Sequence, residues 1–439
     1  MSLLKKIKLK SETVLGAMLI KVSLLLQWPA LTALVFAAMT RDINHAGEYT
    51  VLCMRRSIFM DDVRAMARFS GRIRYLVVGR ELVMQILTHF VGKTEMKKIT
   101  RDYYSGNYGA VGKEKTYQYL KKVWPIYKKM KKFDAVLYSN FCYIEEQELA
   151  RACGDLGIPL IVLFKEGMVS PGTHVAWARK AHKGFRFRGQ AKMLVYNEEI
   201  KKAMAEINVP GLTADKLQVV GIPRMDHYFR NAAVARPAKQ VTFFSTDLVP
   251  KLSLLVENET ERRELAARFE YFHRMVMEFA TAHPVYQVII KTKSYQLFLD
   301  YVLDIKKRYF PQRINNLAIV NSGDPAEMIK TSQVVIGFGS TTLVEALAAN
   351  KTIISFDFSK LLADSSFDYF RNYPGLVNYA GSPGELEEII SNYEKYQPRD
   401  PEQRRKFLES FLYLTDGRSS NRAEESIITI IKTYEHTAS

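Results

Sequence analysis

Cysteine is scarce in this chain. There are three in 439 residues, Cys53, Cys142 and Cys153, none in a C-x-x-C or Cys/His spacing, which excludes a disulfide framework and a thiolate zinc site and fits a reducing compartment. Histidine is sparse as well, eight in all, with no H-x-x-x-H pair, so no metal site is expected. The signatures G-x-x-x-x-G-K-[ST], G-x-G-x-x-G and G-x-S-x-G are missing, so neither a P-loop, nor a dinucleotide fingerprint, nor a hydrolase nucleophile elbow is written here. No internal repeat or low-complexity tract is visible, which excludes a solenoid. Acid is in deficit: 46 Asp plus Glu stand against 63 Lys plus Arg, a net charge of +17. Such a surface attracts nucleic acid, anionic lipid headgroups or phosphorylated small molecules. The aromatic-basic modules of the usual nucleic-acid binders are absent, so no specific nucleic-acid partner is expected.

What is present begins with a basic opening, MSLLKKIKLK, followed by a charge-free run at residues 22–39, VSLLLQWPALTALVFAAM. That run sits at the low edge of what crosses a bilayer, and Ser23, Gln27 and Pro29 interrupt it. No small-x-small site closes it, so a cleaved signal peptide is not expected. It reads as a buried or interfacial helix behind a cationic head, with a spanning helix as the alternative. Either suits a peripheral or monotopic attachment to the cytoplasmic face of an inner, bacterial-type membrane.

Beyond it, short apolar runs alternate with helical patterns, as in βαβ units with a parallel sheet. The expected strands of the first half are EYTVLCM, IRYLVVG, FDAVLYS, PLIVLF, KMLVYN and LQVVGI; those of the second are KQVTFFS, VYQVIIK, NLAIVN, QVVIGF and KTIISF. NFCYIEEQELARACGDLG reads as a crossover helix with an acidic first turn, and YLKKVWPIYKKMKKFD as a cationic helix with a solvated face. The polar, proline-containing FRNAAVARPAKQ marks a boundary. The bounds are therefore a membrane-associating segment at 1–47, a Rossmann-like domain at 48–235 and another at 236–439.

In open α/β sheets ligands sit beyond the carboxyl ends of the strands. After QVVI comes GFGSTTLVEAL: Gly337 and Gly339 permit a tight turn and close backbone approach, Ser340, Thr341 and Thr342 cap the helix, and its amino end receives an anion. Glu345 can accept from ribose hydroxyls. Elsewhere, LFKEGMVSPGTH follows the strand PLIV and offers Glu166 as a carboxylate able to deprotonate a hydroxyl, with His174 as a competing base. Ser57, Asp61 and Asp62 follow the first strand of the same half. His283–Pro284 precedes a strand and reads as a turn.

The run Gly-Ser-Thr-x-x-x-Glu-Ala-Leu after a strand resembles the donor-site turn of GT-B glycosyltransferases. VVGIPRMDHY at 219–228 resembles the Gly-x-Pro-Arg-x-Asp segment that closes the N-terminal domain in bacterial surface-polysaccharide members of that fold: capsule Kdo transferases, teichoic-acid glycerophosphotransferases and nucleotide-sugar epimerases. The resemblance covers most of residues 48–439 and implies two Rossmann-like domains with parallel sheets facing across a cleft. Those families carry Lys-x-His-Pro after a strand, with the His on donor phosphate. This chain keeps Lys291 but has Lys293 and Ser294 where His and Pro are expected, which puts the donor nucleotide in doubt. The Lys-Glu-Gly at 165–167 resembles the segment supplying the general base in the CMP-sugar enzymes.

The resemblance implies a metal-independent glycosyltransferase that needs no cofactor. It would move a sugar or polyol phosphate from a nucleotide-activated donor to a lipid-linked glycan acceptor in surface polysaccharide synthesis. Glu166 is then the expected base; Lys291, Lys293, Ser294, Gly339, Ser340, Thr341, Thr342 and Glu345 hold the donor; Arg224 and Asp226 set a hinge or reach the donor. The alternatives are a nucleotide-sugar 2-epimerase and a degenerate, non-catalytic donor-binding protein of a polysaccharide assembly complex.

Overall fold

The computed structural model describes residues 15–100, 103–104, 106–169, 172–230, 239–245, 258–356, 369–370, 372–373 and 375–438. The basic opening MSLLKKIKLK and most of FRNAAVARPAKQ lie outside the described residues. The chain forms two compact units. One comprises the residues up to Asp226 together with Ser410–Ser439, and the other His227–Glu409.

The first unit is built on a seven-stranded sheet in the order β1-β3-β2-β4-β5-β6-β7. Its strands are β1 (Arg41–Asp42), β2 (Tyr49–Arg55), β3 (Ile73–Gly79), β4 (Ala135–Tyr138), β5 (Leu160–Leu163), β6 (Lys192–Val195) and β7 (Leu217–Val219). All neighbours are parallel except β1, which joins the edge antiparallel to β3. β4 and β5 are buried at every position, as expected of parallel strands covered on both faces, and they read as continuous apolar runs for that reason.

The N-terminal apolar run folds as two helices, not one. The first covers 15–25; Gln27 takes φ 46°, and Pro29 opens the second, Pro29–Met39. Proline suits the first turn of a helix because its missing N–H has no intrahelical partner there. Among the described residues no helix is long and apolar enough to cross a membrane. One side of this helix pair is core: Ile20, Leu24, Ala33 and Phe36 are buried, and the Phe36 ring meets Trp124 and Tyr127 edge-on at 5.6 and 5.5 Å. Thr32 Oγ1 bonds both Ser23 Oγ and Tyr119 OH at 2.6 Å, so Ser23 is satisfied internally, whereas Gln27 is exposed. The described part of this segment is thus packed into the first unit's core. The cationic helix Ala110–Lys131 likewise buries Tyr119, Val123, Trp124 and Tyr127 and leaves Lys115, Lys122 and Lys129 exposed.

The bounds differ from expectation at the other end of the chain. The helix Ser419–Ala438 belongs to the first unit, not the second. Its first turn donates Ser419 N–H and Ser420 N–H to the two Asp226 carboxylate oxygens at 2.9 and 2.7 Å. One turn on, fully buried Glu424 accepts from Tyr75 OH at 2.8 Å and from Arg72 N–H at 3.0 Å.

The second unit has six parallel strands in the order β10-β9-β8-β11-β12-β13. They are β8 (Gln240–Phe244), β9 (Gln287–Lys291), β10 (Leu317–Val320), β11 (Val334–Gly337), β12 (Thr352–Phe356) and β13 (Asn378–Ala380). The long helix Glu259–Ala282 lays Phe269, Phe272, Met275, Val276 and Phe279 on this sheet, and Phe272 stacks on Phe356 at 3.9 Å. His283 and Pro284 form the turn into β9.

Candidate functional site

In the second unit the strand order reverses at β8, which has β9 on one side and β11 on the other. Beyond the carboxyl ends at such a reversal a parallel sheet opens a crevice, because the connections leave in opposite directions. Phe244 is in register with Lys291 on one side and Gly337 on the other, so the lysine and the glycine turn share one edge, about 10 Å apart at two strand spacings.

The turn after β11 differs in detail from the expectation. The helix runs from Thr342 to Ala348 and is shorter than the sequence pattern. Thr341 precedes it without a side-chain cap, and the Ser340 and Thr342 hydroxyls lie 2.7 Å apart, bonded to each other. Gly339 has φ +55°, a conformation in which a β-carbon would be strained. The N–H groups of Leu343, Val344 and Glu345 close on the Ser340 and Thr341 carbonyls. Among the described residues nothing accepts from the N–H of Gly339, Ser340 or Thr341. Successive amides left open in this way form a concavity suited to an oxyanion. Glu345 Oε2 accepts from Tyr228 OH at 3.0 Å, a link between the two sequence motifs that spacing alone did not suggest.

Lys291 is half-buried, and its Nζ donates to Thr292 O at 2.6 Å. Burial holds its ammonium below the usual lysine range. Lys293 and Ser294 are exposed. Three neighbours escaped the sequence reading. Tyr295, 71% exposed, follows Ser294 and meets the Phe298 ring edge-on at 6.0 Å. Ser245, directly after β8, has its Oγ 2.8 Å from Nε2 of fully buried His273, whose Nδ1 is 2.7 Å from Phe269 O. With Nδ1–H donating to the carbonyl, Nε2 accepts from Ser245. Burial lowers the His273 pKa to about 4 and keeps the ring neutral. A polar residue at the end of an apolar strand was the only sequence signal for Ser245.

Glu166 lies in the first unit, in the turn beyond β5. Its Oε1 takes Lys165 Nζ at 2.7 Å and Tyr143 OH at 3.2 Å. The Arg56 and Arg80 guanidiniums each lie 4.6 Å from the Tyr143 ring centre, and Arg80 pairs with Glu145 at 2.6 Å. The acidic first turn of the crossover helix is enclosed: Glu145, Glu146, Gln147 and Glu148 are all buried. Burial, then the adjacent Glu145 charge, pushes the Glu146 carboxyl well up, and its Oε2 has no hydrogen-bond partner among the described residues. His174 is 5% exposed, among the described residues neither of its ring nitrogens has a partner, and burial holds it below the ordinary histidine value. Glu166, Glu146 and His174 thus belong to one unit, while the glycine turn and Lys291 belong to the other.

Arg224 and Asp226 are also in the first unit. Arg224 donates from N–H and Nη1 to fully buried Asp62 at 3.1 Å, and Tyr196 OH donates to the same carboxylate at 2.5 Å. Asp226 holds the C-terminal helix as described. Asp61 pairs with Arg64 at 2.9 Å on the surface, and the Ser57 side chain lies outside those described. Among the described residues no group of three or more His, Cys, Asp or Glu is placed to hold a metal ion.

Two Rossmann-like units with seven- and six-stranded sheets, the second in the full order of a dinucleotide-binding sheet, define the GT-B fold. Solved structures share it. The wall teichoic acid polymerase TagF matches with a TM-score of 0.52 at 11% identity, over 97% of this chain and 98% of that one. A variant of TagF matches with a TM-score of 0.50 at 11% identity, over 98% and 99%. The UDP-GlcNAc 2-epimerase from Neisseria meningitidis, bound to UDP-GlcNAc, gives 0.46 at 13% identity, over 87% and 99%. No protein-family model and no curated protein matches the sequence. At 11% identity the likeness to TagF establishes the fold alone.

Proposed function

We propose that this protein is a metal-independent GT-B glycosyltransferase that moves a sugar or polyol phosphate from a nucleotide-activated donor to a membrane-associated, lipid-linked glycan in bacterial surface polysaccharide synthesis. The observation that carries the reading is the row of open amides at Gly339, Ser340 and Thr341, at the reversal of the second sheet and on one edge with Lys291. Negative charge that grows on the leaving phosphate would be stabilised there by fixed dipoles and a nearby ammonium, which need no reorganisation during the reaction. The hydroxyls of Ser340 and Thr342 can turn from each other to the ligand. Lys293 and Ser294 lie exposed beyond Lys291 and would reach the outer phosphate, Tyr295 would stack a base, and Glu345, oriented by Tyr228, would take the ribose hydroxyls. Glu166 would accept the proton of the acceptor hydroxyl, with Lys165 and Tyr143 fixing its carboxylate. Arg224 and Asp226 would set the geometry of the first unit's last connection and not touch the reacting atoms.

The membrane-facing part of the proposal rests on the helix 15–25. Leu15, Met18, Leu19, Val22 and Leu25 are exposed along it, spaced as one helical stripe, with Leu26 exposed just beyond its end, and the neighbouring helix Ala110–Lys131 supplies lysines. An apolar stripe beside cations suits shallow docking on an anionic bilayer at the cytoplasmic face of an inner membrane.

Titration calorimetry against CMP, CDP, UDP and GDP tests the donor side. One base should bind selectively, and Lys291→Met should weaken it about tenfold, ~1.4 kcal/mol. If none of the four binds at millimolar concentration, the donor site is not where we put it. One observation favours the epimerase alternative: Glu145 and Glu146 add buried carboxyls near Glu166, more acid than the sequence suggested. Incubation of UDP-GlcNAc in deuterium oxide separates the readings, since a 2-epimerase exchanges the C2 proton without an acceptor and a transferase does not. Nucleotide binding without turnover on any donor would leave the non-catalytic alternative.

A further inference from the structure

We propose a second anion site in the first unit, built to take an organic phosphate whose remaining part is apolar. Between Gly167 and Asn197 the sequence contains no Asp or Glu, yet it carries Arg179, Lys180, Lys183, Arg186, Arg188 and Lys192. Such a run raises the local potential whatever fold it adopts. The fold turns part of it into a cavity of about 410 Å³, with Arg179, Lys183 and Arg186 among its lining residues and Tyr104, Phe185 and Val209 beside them. That volume falls within the range of small-ligand sites.

The cavity is shaped by its backbone. Gly184 and Asn208 adopt φ +79° and +50°, so each wall turns sharply, and Phe187 N–H donates to Pro210 O at 2.8 Å to tie the walls together. Gly211, at φ +84°, lies so close that a β-carbon would meet Phe187 O at 2.1 Å. His182 closes the floor. Its ring stacks on Phe141 at 5.1 Å, Nδ1 is 2.8 Å from Ala178 O, and burial lowers its pKa. The floor is therefore uncharged and the cations stand at the exposed rim.

Their charge is poorly compensated. Arg179 has Glu206 at 3.5 Å, with both side chains more than half exposed, a pairing of little strength in water. Arg186 approaches the Tyr104 ring at 5.4 Å. Among the described residues Lys183 has neither a carboxylate nor a hydrogen-bond partner. Cations around an apolar recess match a ligand with a phosphate head and an apolar body, whether that phosphate comes from a lipid or a soluble ester.

The test is titration calorimetry of the full chain at low salt with inorganic pyrophosphate, farnesyl diphosphate below its micelle concentration, and farnesol. Farnesyl diphosphate should bind at least about tenfold more tightly than farnesol. The double variant Lys183→Glu/Arg186→Glu should lose at least about tenfold in affinity, with its circular dichroism unchanged because both side chains are exposed. The control Lys129→Glu/Lys132→Glu, which removes the same charge elsewhere, should bind as the parent does. A clear preference for the ester over pyrophosphate supports the proposal; pyrophosphate binding as tightly as the farnesyl ester would show that the apolar body contributes nothing and would overturn the ligand assigned here. No binding of either phosphate, or an equal loss in the control pair, overturns the proposal. The readout needs no transfer, so it stands or falls apart from the proposed reaction.

Discussion

At the residue scale, Glu166 and His273 show how one environment leaves a titratable group open to solvent and another encloses it. Glu166 is held by Lys165 and Tyr143 in a turn, and 37% of its side chain remains exposed. Glu166→Gln keeps the shape and removes the proposed base, so transfer should fall at least about a thousandfold, within the range general-base catalysis supplies. Nucleotide affinity should stay within twofold, and full retained turnover would remove Glu166 from the mechanism. His273 is the opposite case. Its pKa falls from the ordinary 6.5 to about 4, so between those values the unfolded chain binds a proton that the folded one refuses. The stability from neutral His273 is complete above about 6.5 and is lost as pH drops toward 4. Urea melts at pH 7 and pH 5 should show this loss in the parent and a smaller one in His273→Gln. Ser245→Ala should cost ~1–3 kcal/mol, because it leaves a buried ring nitrogen without its donor.

At the scale of the element, most strands were legible and most of the packing was not. Each apolar run named from the sequence became a strand, since a strand buried on both faces has to be apolar throughout. β1, of two residues, and β13, whose first two residues are not fully buried, carried no such signal. Pro29 and Gln27 interrupt the N-terminal run where it breaks, but Ser23, which bonds Thr32 inside, looked like a weak point of a membrane span. The Glu145–Glu148 turn and Glu424 were unreadable for a related reason. A charged residue is expected at the surface, and only tertiary partners such as Arg80, Tyr103 or Tyr75 make its burial tolerable. In the candidate site the glycine turn was legible, whereas the bond from Tyr228 to Glu345 and the length of the helix were not. Asp226 gives a direct test at this scale. Asp226→Ala removes two charge-assisted bonds from the first turn of Ser419–Ala438 and should destabilise the first unit by ~1–2 kcal/mol. Faster amide exchange at Ser419 and Ser420 should accompany it; unchanged exchange there would contradict the assignment.

At the scale of the whole molecule, two self-contained cores allow effects to be assigned to one unit or the other. A bound nucleotide should slow amide exchange in β8, β9 and the 337–345 turn while leaving the first unit's strands unchanged; protection confined to the first unit would reverse the donor assignment. The charge of +17 makes association with anionic vesicles sensitive to salt. Leu25→Glu/Leu26→Glu should reduce co-sedimentation with such vesicles several-fold without lowering the melting temperature, because both side chains are more than 60% exposed. The return of the last helix to the first unit has a further bearing on how the protein comes into being. Every strand of the second unit leaves the ribosome before Ser419–Ala438 does, whereas Tyr75 and Asp226, made much earlier, wait for Glu424, Ser419 and Ser420. The half synthesised later is therefore the first that can mature, and a chain cut short before Ser410 would carry a finished second unit beside a first one still missing its closing piece.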